Sequence, residues 1–331
     1  MALRWGILSS GKICQDFTTI LTNLSKEEHQ VMAIAARSLD SAQKFAKRFS
    51  IPKAYGSYEE LTNDPNIDVV YVGTIHPYHA EVSKLILNAG KSVLCEKPMA
   101  MNVKEATEVL NLAKEKKVFY MEGYWTRFFP VYDQLRDDIK SGKIGEPLVV
   151  QASFGFKMMA IDRTTKKDLG GGALLDIGCY TVQLAEMVFG KPESVTAVST
   201  MQPSGVDETT VITLRYPNNK VAILTSSVAC NLDNRAFVHG TEGTIEIANP
   251  FWSSTEIILN GQSKHYPLSK VKDPLNFINC EGFAYEAQHV RKMIKNGCTQ
   301  SSVMSHESSL NILSIMDQAR RQMGLVYDAD N

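Results

Sequence analysis

The stretch Trp5-Gly6-Ile7-Leu8-Ser9-Ser10-Gly11-Lys12-Ile13-Cys14 has the spacing of a turn that cradles a dinucleotide, with Ser9, Gly11 and Cys14 where three glycines usually stand. In such a turn the first glycine permits the tight bend, the second lets a pyrophosphate approach the backbone, and the third lets helix and strand pack closely. The second role tolerates a side chain least, and Gly11 keeps it. Ser9 and Ser10 add hydroxyl donors, and Cys14 is small. The helix opened by Lys12 and Ile13 offers unpaired N–H groups and a positive dipole end to an anion. A plain turn with Gly11 at positive φ would read the same from these residues alone; the strand before it and the helix after it favour the dinucleotide. The next strand ends Ala35-Ala36-Arg37-Ser38, without the carboxylate that usually holds an unphosphorylated ribose. Arg37 can clamp a 2′-phosphate bidentately and stack on adenine, and Ser38 can donate a further hydrogen bond. NADP(H) is therefore the expected coenzyme.

Two more groups sit where ligands gather. Lys97, in Cys95-Glu96-Lys97-Pro98, follows a fifth strand, and ligands of an open α/β sheet bind beyond the carboxyl ends of its strands. His76-Pro77-Tyr78-His79 offers two imidazoles three residues apart, but no third and fourth ligand at zinc-like spacing, so no metal is expected.

Elements that would position these groups are legible from periodicity. Residues 3–8, 31–36, 68–73, 92–95 and 118–121 read as strands buried on both faces, with amphipathic helices between them. Asp40 with Gln43, Ser57 with Glu60 and Asn102 with Glu105 have capping-box spacing, and Gly90 stands where a helix should end. This alternation predicts a doubly wound parallel sheet, a Rossmann domain over residues 1–122. After Pro147 the pattern changes to period-2 strands at 148–156, 194–201, 209–216, 220–228, 244–248 and 256–259, with long helices only at 174–189, 281–295 and 305–323. An α+β domain with a mostly antiparallel open sheet is expected over residues 123–331.

Composition narrows the class. The chain has 331 residues, 44% hydrophobic and 21% charged, with a formal net charge of -1, so no overall field draws it to nucleic acid or an anionic membrane. No apolar run approaches the roughly 20 residues of a membrane span, and Met1-Ala2-Leu3-Arg4 leads straight into a strand rather than a signal peptide. Cys14, Cys95, Cys179, Cys230, Cys280 and Cys298 form no C-x-x-C pair, which suits reduced thiols in a cytoplasmic protein.

Four further stretches carry a resemblance: Cys95-Glu96-Lys97-Pro98, residues 125–130 (WTRFFP), residues 170–180 (GGGALLDIGCY) and Gly240-Thr241-Glu242-Gly243. With the amino-terminal turn, they make the chain resemble the glucose-fructose oxidoreductase and inositol dehydrogenase family (Gfo/Idh/MocA) over nearly its whole length. The resemblance implies a nicotinamide bound between a Rossmann domain and an α+β domain whose open sheet mediates self-association, here as a homodimer. It implies that Lys97 contacts coenzyme and substrate, that Glu96, Thr74, His76 and His79 line the coenzyme, and that Tyr71 supports the same region. Most members end the glycine-rich motif D-x-G-x-H, with the histidine as proton carrier. This chain has Asp176, Gly178 and Tyr180. A tyrosine mechanism is therefore expected, as in the branch that oxidises trans-dihydrodiols of aromatic hydrocarbons and D-xylose with NADP. A phenol loses its proton near pH 10, and an ammonium ~4 Å away is worth about 4 kcal/mol at an effective dielectric of about 20, or at most about three pKa units. Lys97 beside Tyr180 would thus suit general acid–base work, with Asp176 hydrogen-bonding the substrate or holding Lys97. Trp125, Phe154, Trp252 and Phe277 are candidates for an aromatic wall around a diol or sugar. The alternatives are a coenzyme-binding regulator without turnover and a reductase for another small cyclic substrate.

Overall fold

The short apolar runs near the amino terminus become strands because their side chains are covered on both faces. β1 (Leu3–Leu8) and β4 (Val69–Val72) are buried almost throughout. The computed structural model describes residues 1–331. In chain order the first elements are β1, α1 (Lys12–Asn23), β2 (His29–Ala35), α2 (Leu39–Phe49), β3 (Lys53–Tyr55), α3 (Tyr58–Thr62), β4, α4 (His79–Asn88), β5 (Ser92–Glu96), α5 (Val103–Lys116) and β6 (Tyr120–Gly123). The strands form one six-stranded sheet in the order β3-β2-β1-β4-β5-β6 with every pairing parallel, the expected doubly wound topology. Strand order reverses between β1 and β4, and crevices of this kind open at that switch point.

Local signals behave unevenly. Ser57 and Glu60 form a complete capping box at α3. Gly90 takes φ +72° just beyond α4. At α2 the cap is Ser38, whose hydroxyl accepts from the Ser41 N–H, and not the expected Asp40; the helix begins two residues earlier, so Asp40 lies within its first turn, a favourable place for a carboxylate.

The remaining elements are α6 (Pro130–Lys140), β7 (Pro147–Gly155), α7 (Asp162–Thr165), α8 (Cys179–Phe189), β8 (Ser194–Met201), β9 (Asp207–Tyr216), β10 (Lys220–Ser227), β11 (Ala236–Gly240), β12 (Thr244–Ile247), β13 (Glu256–Leu259), β14 (Gln262–His265), α9 (Phe283–Lys295) and α10 (His306–Met323). The second sheet has eight strands in the order β14-β13-β12-β11-β7-β10-β9-β8. Only β7 and β10 pair in parallel, so it is mostly antiparallel, as expected. Along β8 and β10, buried Val195, Ala197, Ala222 and Leu224 alternate with outward-facing Val198 and Ile223.

The chain divides into two compact units. One comprises Met1–Ala100, Lys104–Phe128 and Leu268–His306; the other Met101–Val103, Phe129–Pro267 and Glu307–Asn331. A single cut near residue 123 does not capture the return of Leu268–His306 to the first unit. The cause is aromatic packing. Phe283 at the start of α9 stacks on Trp125 with centroids 4.6 Å apart and meets Phe17 of α1 edge-on at 5.5 Å. One stretch, Lys167–Phe189, is long and apolar enough to cross a bilayer, which the sequence reading did not anticipate; 83% of its most apolar window is buried inside the protein, so it is a core helix.

Candidate active site

In the first unit the candidate residues lie at the carboxyl ends of adjacent strands. Ser9 follows β1 and takes φ +99°, a left-handed backbone that glycine adopts without strain and serine does not. Gly11 has φ -65°, so a positive φ is not what it provides. A Cβ there would meet only the Ser9 hydroxyl at 3.5 Å and the Gly73 carbonyl at 3.9 Å. What Gly11 leaves is room against the backbone, at the start of a twelve-residue helix with no side-chain cap and no acidic residue in its first turn. That is the arrangement a phosphate needs. The missing third glycine is replaced from another strand. Cys14 Sγ faces the carbonyls of Leu8 and Gly73 at 3.7 Å each, and a Cβ on Gly73 would come within 2.4 Å of that sulfur.

Past β4, the Thr74 hydroxyl is buried without a hydrogen-bond partner, an orphan that suits a ligand at this edge. His79 is buried and spans two backbone carbonyls, Pro98 from Nδ1 at 2.7 Å and Thr74 from Nε2 at 2.9 Å. Burial lowers its pKa, and the two carbonyls oppose that. His79 therefore ties the segment after Lys97 to the segment after β4; His76 packs edge-on beside it at 5.9 Å. Glu122, which sequence reasoning missed, accepts from the Met99 N–H at 2.9 Å and fixes the same turn. Nothing in the sequence links residue 122 to residue 99; only the β5–β6 pairing does. The Tyr71 hydroxyl donates to Glu96 at 2.5 Å while its ring stacks on Phe17 at 3.9 Å. Burial pushes Tyr71 well above its ordinary pKa and raises Glu96, although Tyr71 and Lys97 work the other way on Glu96. Lys97 itself is half-buried just beyond β5. Arg37 is exposed beyond β2 and makes no hydrogen bond or ion pair; with Gly56, Ser57, Tyr58 and Glu59 it lines a cavity of about 220 Å³.

In the second unit, Gly172 has φ +119°, and a Cβ there would lie 2.3 Å from Asp207, whose carboxylate accepts from the Leu174 N–H at 2.7 Å. A single π-helical turn, Leu174–Gly178, then carries Asp176 into the start of α8. Such turns are uncommon and recur at functional sites. Asp176 is 3% exposed and forms an ion pair with Arg163, a partner the sequence reading missed because it comes from a separate element, α7. Tyr180, in the first turn of α8, is 7% exposed and sits 5.6 Å from the Phe154 ring. Phe154 in turn stacks on Trp252 at 3.8 Å, and Phe156 meets both edge-on. Of the expected aromatic wall, Phe154 and Trp252 thus gather with Tyr180. Trp125 and Phe277 belong to the first unit, Trp125 buried on Phe283 and Phe277 43% exposed on a loop. No three His, Cys, Asp or Glu side chains come together to hold a metal.

Known proteins agree with this architecture. The model of the oxidoreductase family with an NAD-binding Rossmann fold matches residues 3–124, and that of the GFO/IDH/MocA C-terminal domain matches residues 132–246. A zebrafish (Danio rerio) trans-1,2-dihydrobenzene-1,2-diol dehydrogenase is 49% identical over 333 residues, covering 100% of both chains. The human (Homo sapiens) protein of that name is 43% identical, covering 100% of this chain and 99% of the relative. The crystal structure of KijD10, a 3-ketoreductase from Actinomadura kijaniata in complex with NADP and TDP-benzene, superposes with a TM-score of 0.85 at 25% identity over 98% of both chains. An aldose-aldose oxidoreductase from Caulobacter crescentus shares the fold, with a TM-score of 0.85 at 22% identity over 97% of both chains. With a dinucleotide turn, a lysine beyond β5, a tyrosine-ended glycine motif and both halves of the chain matched, this protein belongs to the Gfo/Idh/MocA family of oxidoreductases.

Proposed function

We propose that this chain is a cytoplasmic, homodimeric NADP(H)-dependent dehydrogenase of vicinal diols. It oxidises trans-dihydrodiols of aromatic hydrocarbons to catechols, and aldopentoses such as D-xylose to the lactone. The observation that carries this reading is Tyr180, a nearly buried phenol beside Phe154, which itself stacks on Trp252, at the position where a histidine would otherwise move the proton. Full-length similarity to proteins named for a dihydrodiol supports it.

The first unit would hold the coenzyme. Gly11 and the N–H groups opening α1 take the pyrophosphate, and the Thr74 hydroxyl supplies an unspent hydrogen bond. Arg37, exposed and unpaired beside its cavity, takes the 2′-phosphate. When bound, nicotinamide supplies the hydride acceptor. In this reading Tyr180 would take the hydroxyl proton of the carbinol being oxidised, and Lys97 would donate a hydrogen bond to the carbinol oxygen. Asp176, fixed by Arg163, orients the second hydroxyl. A cyclic dihydrodiol oxidised at one carbinol then tautomerises to the aromatic catechol. The outward face of the second sheet, with Val198 65% and Ile223 40% exposed, suits pairing with another copy. No disulfide joins the six cysteines, consistent with a reducing compartment.

The test is NADPH formation from NADP⁺ with a trans-dihydrodiol and, separately, with D-xylose, followed by absorbance. Tyr180→Phe should bind NADPH within twofold of the parent and lose about 10²–10⁴ in turnover, the usual worth of a general base. Retained turnover removes Tyr180 from the mechanism. NADPH binding without any turnover supports a regulator instead. Arg37→Glu sets a carboxylate against the phosphate and should weaken NADPH about a hundredfold while leaving NADH nearly unchanged. Equal losses for both reject the NADP assignment.

A further inference from the structure

Asp16 lies within α1, one turn from the dinucleotide turn, and is only 1% exposed. A buried carboxylate needs donors. No cation pairs with it; its hydrogen bonds come from a loop some 260 residues away. The Asn276 N–H donates to Oδ1 at 2.9 Å and Oδ2 at 3.0 Å, the Asn276 side-chain amide to Oδ1 at 2.6 Å, and the Phe277 N–H to Oδ2 at 3.0 Å. The same Asn276 amide also donates to the Lys12 carbonyl at 3.3 Å, in the first turn of α1. Cys280 lies beside this knot, its thiol pushed up by burial and then by Asp16. The two apolar side chains that follow, Phe277 and Ile278, are 43% and 55% exposed. Burial of these side chains does not anchor the loop here; the polar knot on Asp16 does.

We propose that Asp16 is a positioning residue for the coenzyme site: it pins residues 268–279 beside the first turn of α1, so that Phe277 and Ile278 form a wall covering the bound dinucleotide. The inference rests on the reading above that this turn takes the coenzyme. A planar, partly apolar ligand laid against the turn covers both side chains, which explains why they are presented outward. The carboxylate never touches the ligand; it acts through the loop. Losing the tether should therefore show in how long the ligand stays, because affinity differences between related complexes lie mostly in dissociation.

The experiment measures NADPH release by stopped-flow fluorescence from the full-length wild type, Asp16→Ala and Asn276→Ala. Asp16→Ala should release NADPH about tenfold faster and Asn276→Ala several-fold faster, with the NADPH-to-NADH preference unchanged. A purely structural role lowers the amplitude, because less protein is folded, and leaves the rate of the bound fraction alone. Rates within twofold of wild type for both variants overturn the proposal. Should Asp16→Ala fail to fold, Asn276→Ala, which keeps the carboxylate and removes one donor, decides by the same criterion. A wild type that binds no NADPH overturns the coenzyme reading and the wall with it, whereas normal binding with unaffected variants overturns the tether alone.

Discussion

The two units treat buried charge in opposite ways. In the second, Arg320 is 3% exposed and both of its terminal nitrogens are answered: they donate to Asp317 at 2.6 Å, to Asp330 at 2.7 Å and to the Met101 carbonyl at 3.0 Å. Burial works against the guanidinium, but Asp330 and Asp317 more than offset it, so its pKa stands above the usual value. In the first unit, Glu286 on α9 is completely buried and neither carboxyl oxygen has a hydrogen-bond partner. Burial, and then the nearby Glu96, push its pKa well above the carboxylate range. The paired charge is a latch: Asp330 also accepts from the Asn102 amide at 3.0 Å, tying the last residues of the chain to the segment that follows the E-K-P turn. The unpaired one is an acid kept neutral by its surroundings. A buried ion network is hard to break once made, whereas a lone buried carboxyl costs stability while it stands.

The larger effect is expected at the latch. Arg320→Met keeps a long apolar stem and removes the charge, leaving Asp317 and Asp330 without their cation. About 3 kcal/mol of stability should be lost, read as a lower midpoint in urea. Asp330 has a depressed pKa in the fold, held by Arg320 and its hydrogen bonds against burial. Its contribution is present above the unfolded value of about 4 and is lost as pH falls through the folded value, so Arg320→Met should also flatten the acid side of the stability profile. A change below 1 kcal/mol would dissolve the contrast between the units.

How much was legible beforehand follows the same division between local and distant causes. The doubly wound sheet was readable because each strand of it is a buried apolar run, and the Ser57–Glu60 box because its partners are three residues apart. Short polar strands were not: β14 is exposed along its length, and β3 has three half-buried residues, so neither leaves a hydrophobic period. The dinucleotide turn was readable at Gly11, but the compensation for its lost third glycine lies 59 residues away at Gly73. Arg163 on Asp176, Glu122 on Met99 and Asn276 on Asp16 were invisible for that reason. Each is a side chain answering a need created only once the chain has folded.

The smaller effect has the opposite sign and belongs to Glu286. An unfolded glutamate ionises near pH 4.3, whereas this one stays protonated in the fold to much higher pH. Between those values folding takes up a proton, and stability falls by about 1.4 kcal/mol for each pH unit. Glu286→Gln keeps the shape and removes the titration, so the variant should match the parent near pH 4 and become the more stable of the two as pH rises from 5 to 6. Paired melting curves across that range would show the gap widening. Glu96 and Tyr71 face the same buried region, and exchanging a neutral acid for a neutral amide adds no charge to it. A variant less stable than its parent at pH 6 would mean that Glu286 is ionised and held by a partner within the fold. The contrast between an answered and an unanswered buried charge would then disappear.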